Sequence, residues 1–222
     1  MNLVSSIILC FVIINKDMSF DDKARDWDKD PKKVERARIF ANDILLFLGE
    51  KKIEKAIEFG SGTGLVSFNL KDNFKSITLA DNSSGMIEVL TEKIKNEKVM
   101  NMKPLLIDIF KDNLRLTGFD IVYTLLTLHH IADIGKTFGI FNSILKPGGY
   151  LCIGDLITED GSFHHKDHDF HGHSGFDPDD FKKQLTEHGF TVEYDKIFFF
   201  IEKEYKSEMR RYPMFLIIGR KN

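Results

Sequence analysis

The feature that most constrains this chain is the run Glu58-Phe59-Gly60-Ser61-Gly62-Thr63-Gly64, set between a short apolar segment, residues 55–59, and a helical pattern, residues 65–72. Three alternate glycines between a strand and a helix permit a tight turn and let a ligand come up against bare backbone. The spacing is GxGxG. A dinucleotide fingerprint is GxGxxG, and Leu65 stands where that pattern wants its third glycine. No GK[ST] follows, which disfavours a nucleoside-triphosphate loop.

The rest of the chain repeats the strand–turn–helix rhythm. Helical periodicity predicts helices over residues 32–48, 84–96, 134–145 and 177–188, the last with Pro178 in its first turn and Gly189 at its exit. Apolar runs predict strands over 76–80, 105–107, 119–128, 150–157, 191–201 and 215–220. Residues 26–31 are polar and turn-prone. Such alternation argues for an α/β domain, a mainly parallel sheet covered by helices on both faces, with the last two strands as an antiparallel pair. In such sheets ligands bind at strand carboxyl ends, near the switch in strand order. Asp81, Asp108, His129, His130 and Asp155 all fall at or just past such ends.

A carboxylate at Asp81 can accept hydrogen bonds from both hydroxyls of a ribose, so it supports an adenosine-containing ligand without separating one such cofactor from another. Asp108 is placed to accept from an adenine amino group. Ile109 and Met86 are candidate apolar walls, although Met86 suits a core-facing position equally well.

The pieces now stand in order: the glycine run, Asp81-Asn82-Ser83-Ser84-Gly85-Met86, Asp108-Ile109, Phe119-Asp120-Ile121-Val122, Leu128-His129-His130 and Leu145-Lys146-Pro147-Gly148-Gly149. Together they resemble the class I S-adenosylmethionine (SAM)-dependent methyltransferases, in the small-molecule group that includes ubiquinone and menaquinone biosynthesis enzymes. The resemblance covers residues 20–221. It implies a doubly wound, Rossmann-like methyltransferase fold with a seven-stranded sheet and a final antiparallel strand. It also implies that Gly60, Ser61, Gly62 and Gly64 hold the amino-acid portion of SAM, Asp81 and Asn82 its ribose, and Asp108 with Ile109 its adenine. Glu58 would orient the loop or meet the methionyl ammonium. Residues 20–27 resemble a segment that closes over SAM, with Trp27 as lid aromatic or as core.

The implied reaction is attack by an O, N, S or C nucleophile of a small molecule on the sulfonium methyl. The donor is already activated, so the protein's task is in-line positioning and desolvation. A base is needed only where the acceptor must lose a proton, and His130 and His129 are the candidates, with a structural role for the pair as the alternative; Asp155 binds acceptor, orients a histidine or caps a turn. Protein methylation, SAM binding without turnover and NAD-dependent oxidoreduction are the alternatives.

Residues 164–173 hold five of the eight histidines and two aspartates. Imidazoles of His168, His171 and His173, with Asp169, are a conceivable transition-metal set. No cysteine joins them and methyl transfer needs no metal. The favoured reading has no metal: the resemblance implies that the stretch before Gly175-Phe176-Asp177 crosses the acceptor side, making His171 and His173 candidate acceptor contacts, with incidental surface histidines as the alternative.

Lys and Arg total 31 against 34 acidic residues, a net charge of −3, which gives no general pull towards nucleic acid or anionic membrane. No Asn-Pro-Pro-Tyr-like loop follows the fourth strand either. Cys10 and Cys152 are expected as two separate thiols. Residues 1–17 form an apolar extension, too short for a comfortable bilayer span and lacking the basic flank and cleavage site of a signal peptide. An upstream start, a docking arm and an anchor all remain open for it. Residues 18–222 are read as one domain, and the cytoplasm is the expected location.

Overall fold

The computed structural model describes residues 20–112, 116–165 and 170–222. Two short helical pieces open it, α1 (Phe20–Lys23) and a 3-10 turn (Ala24–Lys29), the second overlapping the turn-prone residues 26–31. Helix α2 (Pro31–Leu48) begins where Asp30 caps the backbone N–H of Lys32 and Pro31 fills the first turn. It ends at Gly49. Then follow β1 (Ile53–Phe59), α3 (Leu65–Leu70), β2 (Phe74–Asp81), α4 (Ser84–Asn96), β3 (Met102–Leu106), β4 (Phe119–Leu125), α5 (Ile134–Ile144), β5 (Leu145–Leu156), α6 (Pro178–Glu187), β6 (Phe190–Tyr205) and β7 (Glu208–Lys221).

The strands form one seven-stranded sheet in the order β3-β2-β1-β4-β5-β7-β6. β7 runs antiparallel to both β5 and β6; the other pairings are parallel. The expected doubly wound fold with a reversed last strand is what the chain adopts. Alternation along the strands divides the core. Ala56, Ile121, Tyr123, Cys152, Leu216 and Ile218 face the layer of α2, α3 and α4, whereas Ile57, Val122, Leu151, Ile153, Phe215 and Ile217 face α5 and α6. Both faces are buried, so the central strands read as unbroken apolar runs. Cys152 is a buried free thiol.

Three boundaries differ from the sequence reading. Strand β3 starts at Met102 and carries Pro104, which an edge strand tolerates because one side needs no N–H. Strand β4 stops at Leu125. Leu126 then takes φ +53°, and Leu128–His130 forms a 3-10 turn rather than more strand. Strands β6 and β7 run on into a hairpin through Lys206 and Ser207, at φ +49° and +66°. A two-residue turn with both φ positive usually announces itself as Asn-Gly; Lys-Ser carries no such signal. Among the described residues no helix is long and apolar enough to cross a membrane.

Candidate active site

The strand order reverses between β1 and β4, and the carboxyl ends of these strands carry the glycine loop and the histidine turn. Gly60, Gly62 and Gly64 take φ values of +66°, +51° and +81°. At Gly60 a side chain is also barred by contact, since a Cβ would lie 2.3 Å from the Thr127 side chain. The loop is therefore locked sideways against the turn that follows β4.

Asp81, at the end of β2, binds that loop from below. One carboxylate oxygen accepts from the Gly62 N–H at 2.7 Å and the other from the Ser83 N–H at 2.9 Å. Burial raises its pKa, with these backbone donors pulling the other way. The Asn82 N–H is a third donor to the carboxylate, and a carboxylate with about four acceptor sites has room for one more. Asn82 beside it is exposed, and Met86 is buried, its sulfur 3.8 Å from where a Gly62 Cβ would stand. Ser61 supplies an independent observation: its Oγ is buried with no hydrogen-bond partner among the described residues. A buried hydroxyl in a loop of left-handed glycines, beside a carboxylate with acceptor capacity to spare, fits a polar ligand with its own donors and acceptors.

Glu58 turns away from the opening. Its carboxylate accepts from Ser67 Oγ, which lies 2.6 Å from the Tyr123 hydroxyl, and burial pushes its pKa up to about 8. It ties β1 to α3 and β4 behind the loop. Asp108 lies beyond β3, its pKa lowered by the Lys111 ammonium at 2.7 Å, and it accepts from the Phe110 N–H. Ile109 lines a cavity of about 40 Å³ with Ile57, Phe59, Ile107 and Phe141.

The N-terminal segment lies across this half. Asp21 accepts from Ser83 Oγ at 2.6 Å and from the Gly85 N–H at 2.7 Å, at the start of α4. Asp28 accepts from Thr63 Oγ1 and from Lys93 Nζ, while Lys93 also donates to the Thr63 carbonyl at 2.8 Å. Trp27 is half-buried with Lys33 Nζ 3.4 Å above its ring. Phe20 reaches the other half, edge-on to His130 at 5.3 Å. Neither tether was legible in the sequence, because each depends on residues more than thirty positions away.

On the far side Asp155, fully buried at the end of β5, is a hub. It accepts from the backbone N–H groups of Leu128, His129 and Leu156 and lies 2.6 Å from His129 Nδ1. Asp155 thus contacts both the backbone of the turn after β4 and the His129 ring. His129 is buried and His130 exposed, their rings 4.1 Å apart. His173 donates its backbone N–H to the His129 carbonyl and places Nε2 2.9 Å from the Ile131 carbonyl. Gly172 permits that approach, since a Cβ there would sit 2.1 Å from the same His129 oxygen. His171 is exposed. The structure adds His164, which stacks on Phe170 at 3.8 Å and 11° and approaches His129 at 5.2 Å. His168 and Asp169 lie outside the described residues.

The family model for the methyltransferase domain matches residues 33–195. The chain belongs to the methyltransferase domain family. Among similar proteins, an uncharacterized methyltransferase of Schizosaccharomyces pombe is 27% identical over 173 residues, covering 72% of this chain and 61% of that protein. The polyketide synthase–nonribosomal peptide synthetase ACE1 of Pyricularia oryzae is 34% identical over 111 residues, 47% of this chain and 3% of the synthetase. The chain therefore spans less than two thirds of either relative. The N-methyltransferase NodS of Bradyrhizobium japonicum, solved in complex with S-adenosyl-L-homocysteine, superposes with a TM-score of 0.64 at 18% identity, covering 88% of this chain and 90% of NodS. This methyltransferase domain has the class I fold of SAM-dependent enzymes, and the glycine loop, Asp81 and the orphan Ser61 hydroxyl fit that cofactor.

Proposed function

We propose that the domain transfers a methyl group from SAM to an O, N, S or C nucleophile of a small molecule. The observation that carries this reading is the convergence of Gly62, Asp81 and the unpartnered Ser61 hydroxyl at one strand-end turn. Gly60, Ser61, Gly62 and Gly64 take the amino-acid portion of SAM. Asp81 and Asn82 take the ribose hydroxyls. Asp108, Ile109 and Met86 border the adenine. Glu58 acts from behind, fixing the loop through Ser67. Bound SAM supplies a sulfonium methyl that needs no further activation.

The residues 20–29 cover the donor and exclude water, with Trp27 and Phe20 extending this cover towards the acceptor. His130 and His129 face the acceptor side, and Asp155 holds His129 in one orientation. His171 and His173 border the same side on the loop that returns to α6. In this arrangement the donor half fixes the methyl and the histidine half receives the acceptor's reacting atom. Rate comes from alignment, since two positioned reactants no longer have to find each other by diffusion.

Calorimetric titration with SAM and, separately, with NAD tests the cofactor assignment. SAM binding that weakens by about 1–3 kcal/mol in Asp81→Ala is expected; heat from NAD alone would count against it. Methyl-labelled SAM incubated with extract metabolites, followed by mass identification of labelled products, tests the acceptor class. Label appearing only in protein would replace the small-molecule reading with protein methylation.

A further inference from the structure

The sequence directs a search for metal ligands to the histidine-rich loop alone. The folded chain instead assembles a trio from two places: His129 and His130 after β4, and His164 in the loop after β5. One ligand nitrogen from each lies within 4.8 Å of the other two. Their ring centroids are 4.1, 5.2 and 5.4 Å apart. We infer that His129, His130 and His164 bind one divalent first-row transition-metal ion, Zn²⁺ in first place, with a coordination position open to the methyl acceptor. The identity of that acceptor's role rests on the methyl-transfer reading above; the metal site does not.

Three features beyond proximity support it. Asp155 lies 2.6 Å from His129 Nδ1, which leaves Nε2 as the ligating atom. A carboxylate on the remote nitrogen of an imidazole is the usual outer support of a metal-binding histidine, fixing its tautomer and raising its basicity. Secondly, aromatic rings hold the imidazoles in place: Phe170 stacks on His164, Phe20 meets His130 edge-on, and Phe163 lies 4.9 Å from His164. Thirdly, burial is graded. His129 is buried, His164 half-buried and His130 exposed, so the trio is closed behind and open in front, as in catalytic rather than structural zinc sites.

Zn–N bonds of about 2.1 Å in tetrahedral array separate ligand nitrogens by roughly 3.4 Å. The trio's nitrogens, within 4.8 Å of one another, are close enough for small side-chain adjustments to reach that spacing. Neutral imidazoles without thiolate suit Zn²⁺, Co²⁺ or Ni²⁺ over Mg²⁺ or Ca²⁺.

The trio also neighbours the donor half. His129 lies two residues after Thr127, which packs on Gly60, a chain distance of at most about 7 Å. A metal there selects acceptors whose hydroxyl or thiol can occupy its open position. Binding lowers the acceptor's pKa, as a metal does for water. The O–H or S–H proton leaves to solvent, the heteroatom attacks the methyl carbon, and the C–S⁺ bond breaks to give the methyl ether or thioether and neutral S-adenosylhomocysteine.

The test is titration of the chelator-treated full chain with Co²⁺, read by visible absorption, then displacement by Zn²⁺. One equivalent with the intense absorption of a tetrahedral site is expected. His164→Ala and His130→Ala should each weaken binding on the order of 100-fold, whereas His171→Ala should leave it unchanged. No stoichiometric complex, or one that survives both substitutions, overturns the proposal; so does one that His171→Ala removes. SAM is titrated in parallel into the metal-free chain. Failure there overturns the methyl-donor reading while the Co²⁺ result still decides the metal site.

Discussion

The glycine loop and the histidine turn, at neighbouring strand ends, are held by different means. On the glycine-loop side, backbone does most of the fixing: glycines at positive φ, N–H groups on Asp81, and a helix start capped by Ser83 and Asp21. On the histidine side the ring of one histidine hangs on one buried carboxylate, and neighbouring aromatic rings fix the others. A backbone-built half presents the same groups whatever small changes occur around it. A side-chain-built half can be altered residue by residue.

This contrast is open to attack. The largest expected effect is at the Asp155 hub: Asp155→Ala leaves three backbone N–H groups and the His129 ring without their acceptor, and should cost about 3–5 kcal/mol in a urea unfolding curve. A loss under 1 kcal/mol would mean that the acceptor half is held by something other than this carboxylate. Next is Gly60→Ala on the donor side. Forcing a side chain into a left-handed position against Thr127 should weaken SAM binding by about 1–3 kcal/mol, measured by calorimetry. Unchanged affinity would remove the case for a backbone-built cradle.

Glu58 sharpens the comparison through pH. Its carboxyl is raised from 4.5 to about 8, first by burial. The folded chain therefore binds more protons than the unfolded one between these values, and stability is full below pH 4.5 and falls as pH rises towards 8. Glu58→Gln should flatten that fall in urea midpoints taken at pH 6 and pH 8.5. A slope equal to that of the parent chain would show that Glu58 ionises normally. The smallest effect is at the strap. Asp28→Asn weakens a half-exposed ion pair with Lys93, worth about 0.2–1 kcal/mol, and should increase proteolysis within residues 20–29 with little change in global stability.

The placement of the glycine loop and Asp81 at neighbouring strand ends was legible in advance because its parts are short-range in sequence. Glycines at alternate positions and an acid closing a strand each announce a local backbone geometry, and their order along a strand–helix alternation fixes where they meet. The Lys206-Ser207 turn was not legible, since neither residue is chosen for positive φ. His164 was not either: the density of histidines marked the loop, but nothing local distinguishes His164 from His171.

By itself, the sequence determined the α/β alternation, the glycine turn at the switch point and the acid one strand away, because periodicity and local conformational preference act over a few residues. Tertiary structure alone decided that Asp155 would orient His129, that Asp28 would tie the strap to Thr63, and that His164 would join the pair after β4. Those contacts link residues 26, 35 and 35 positions apart. They exist only once the sheet has closed and brought the strand ends together.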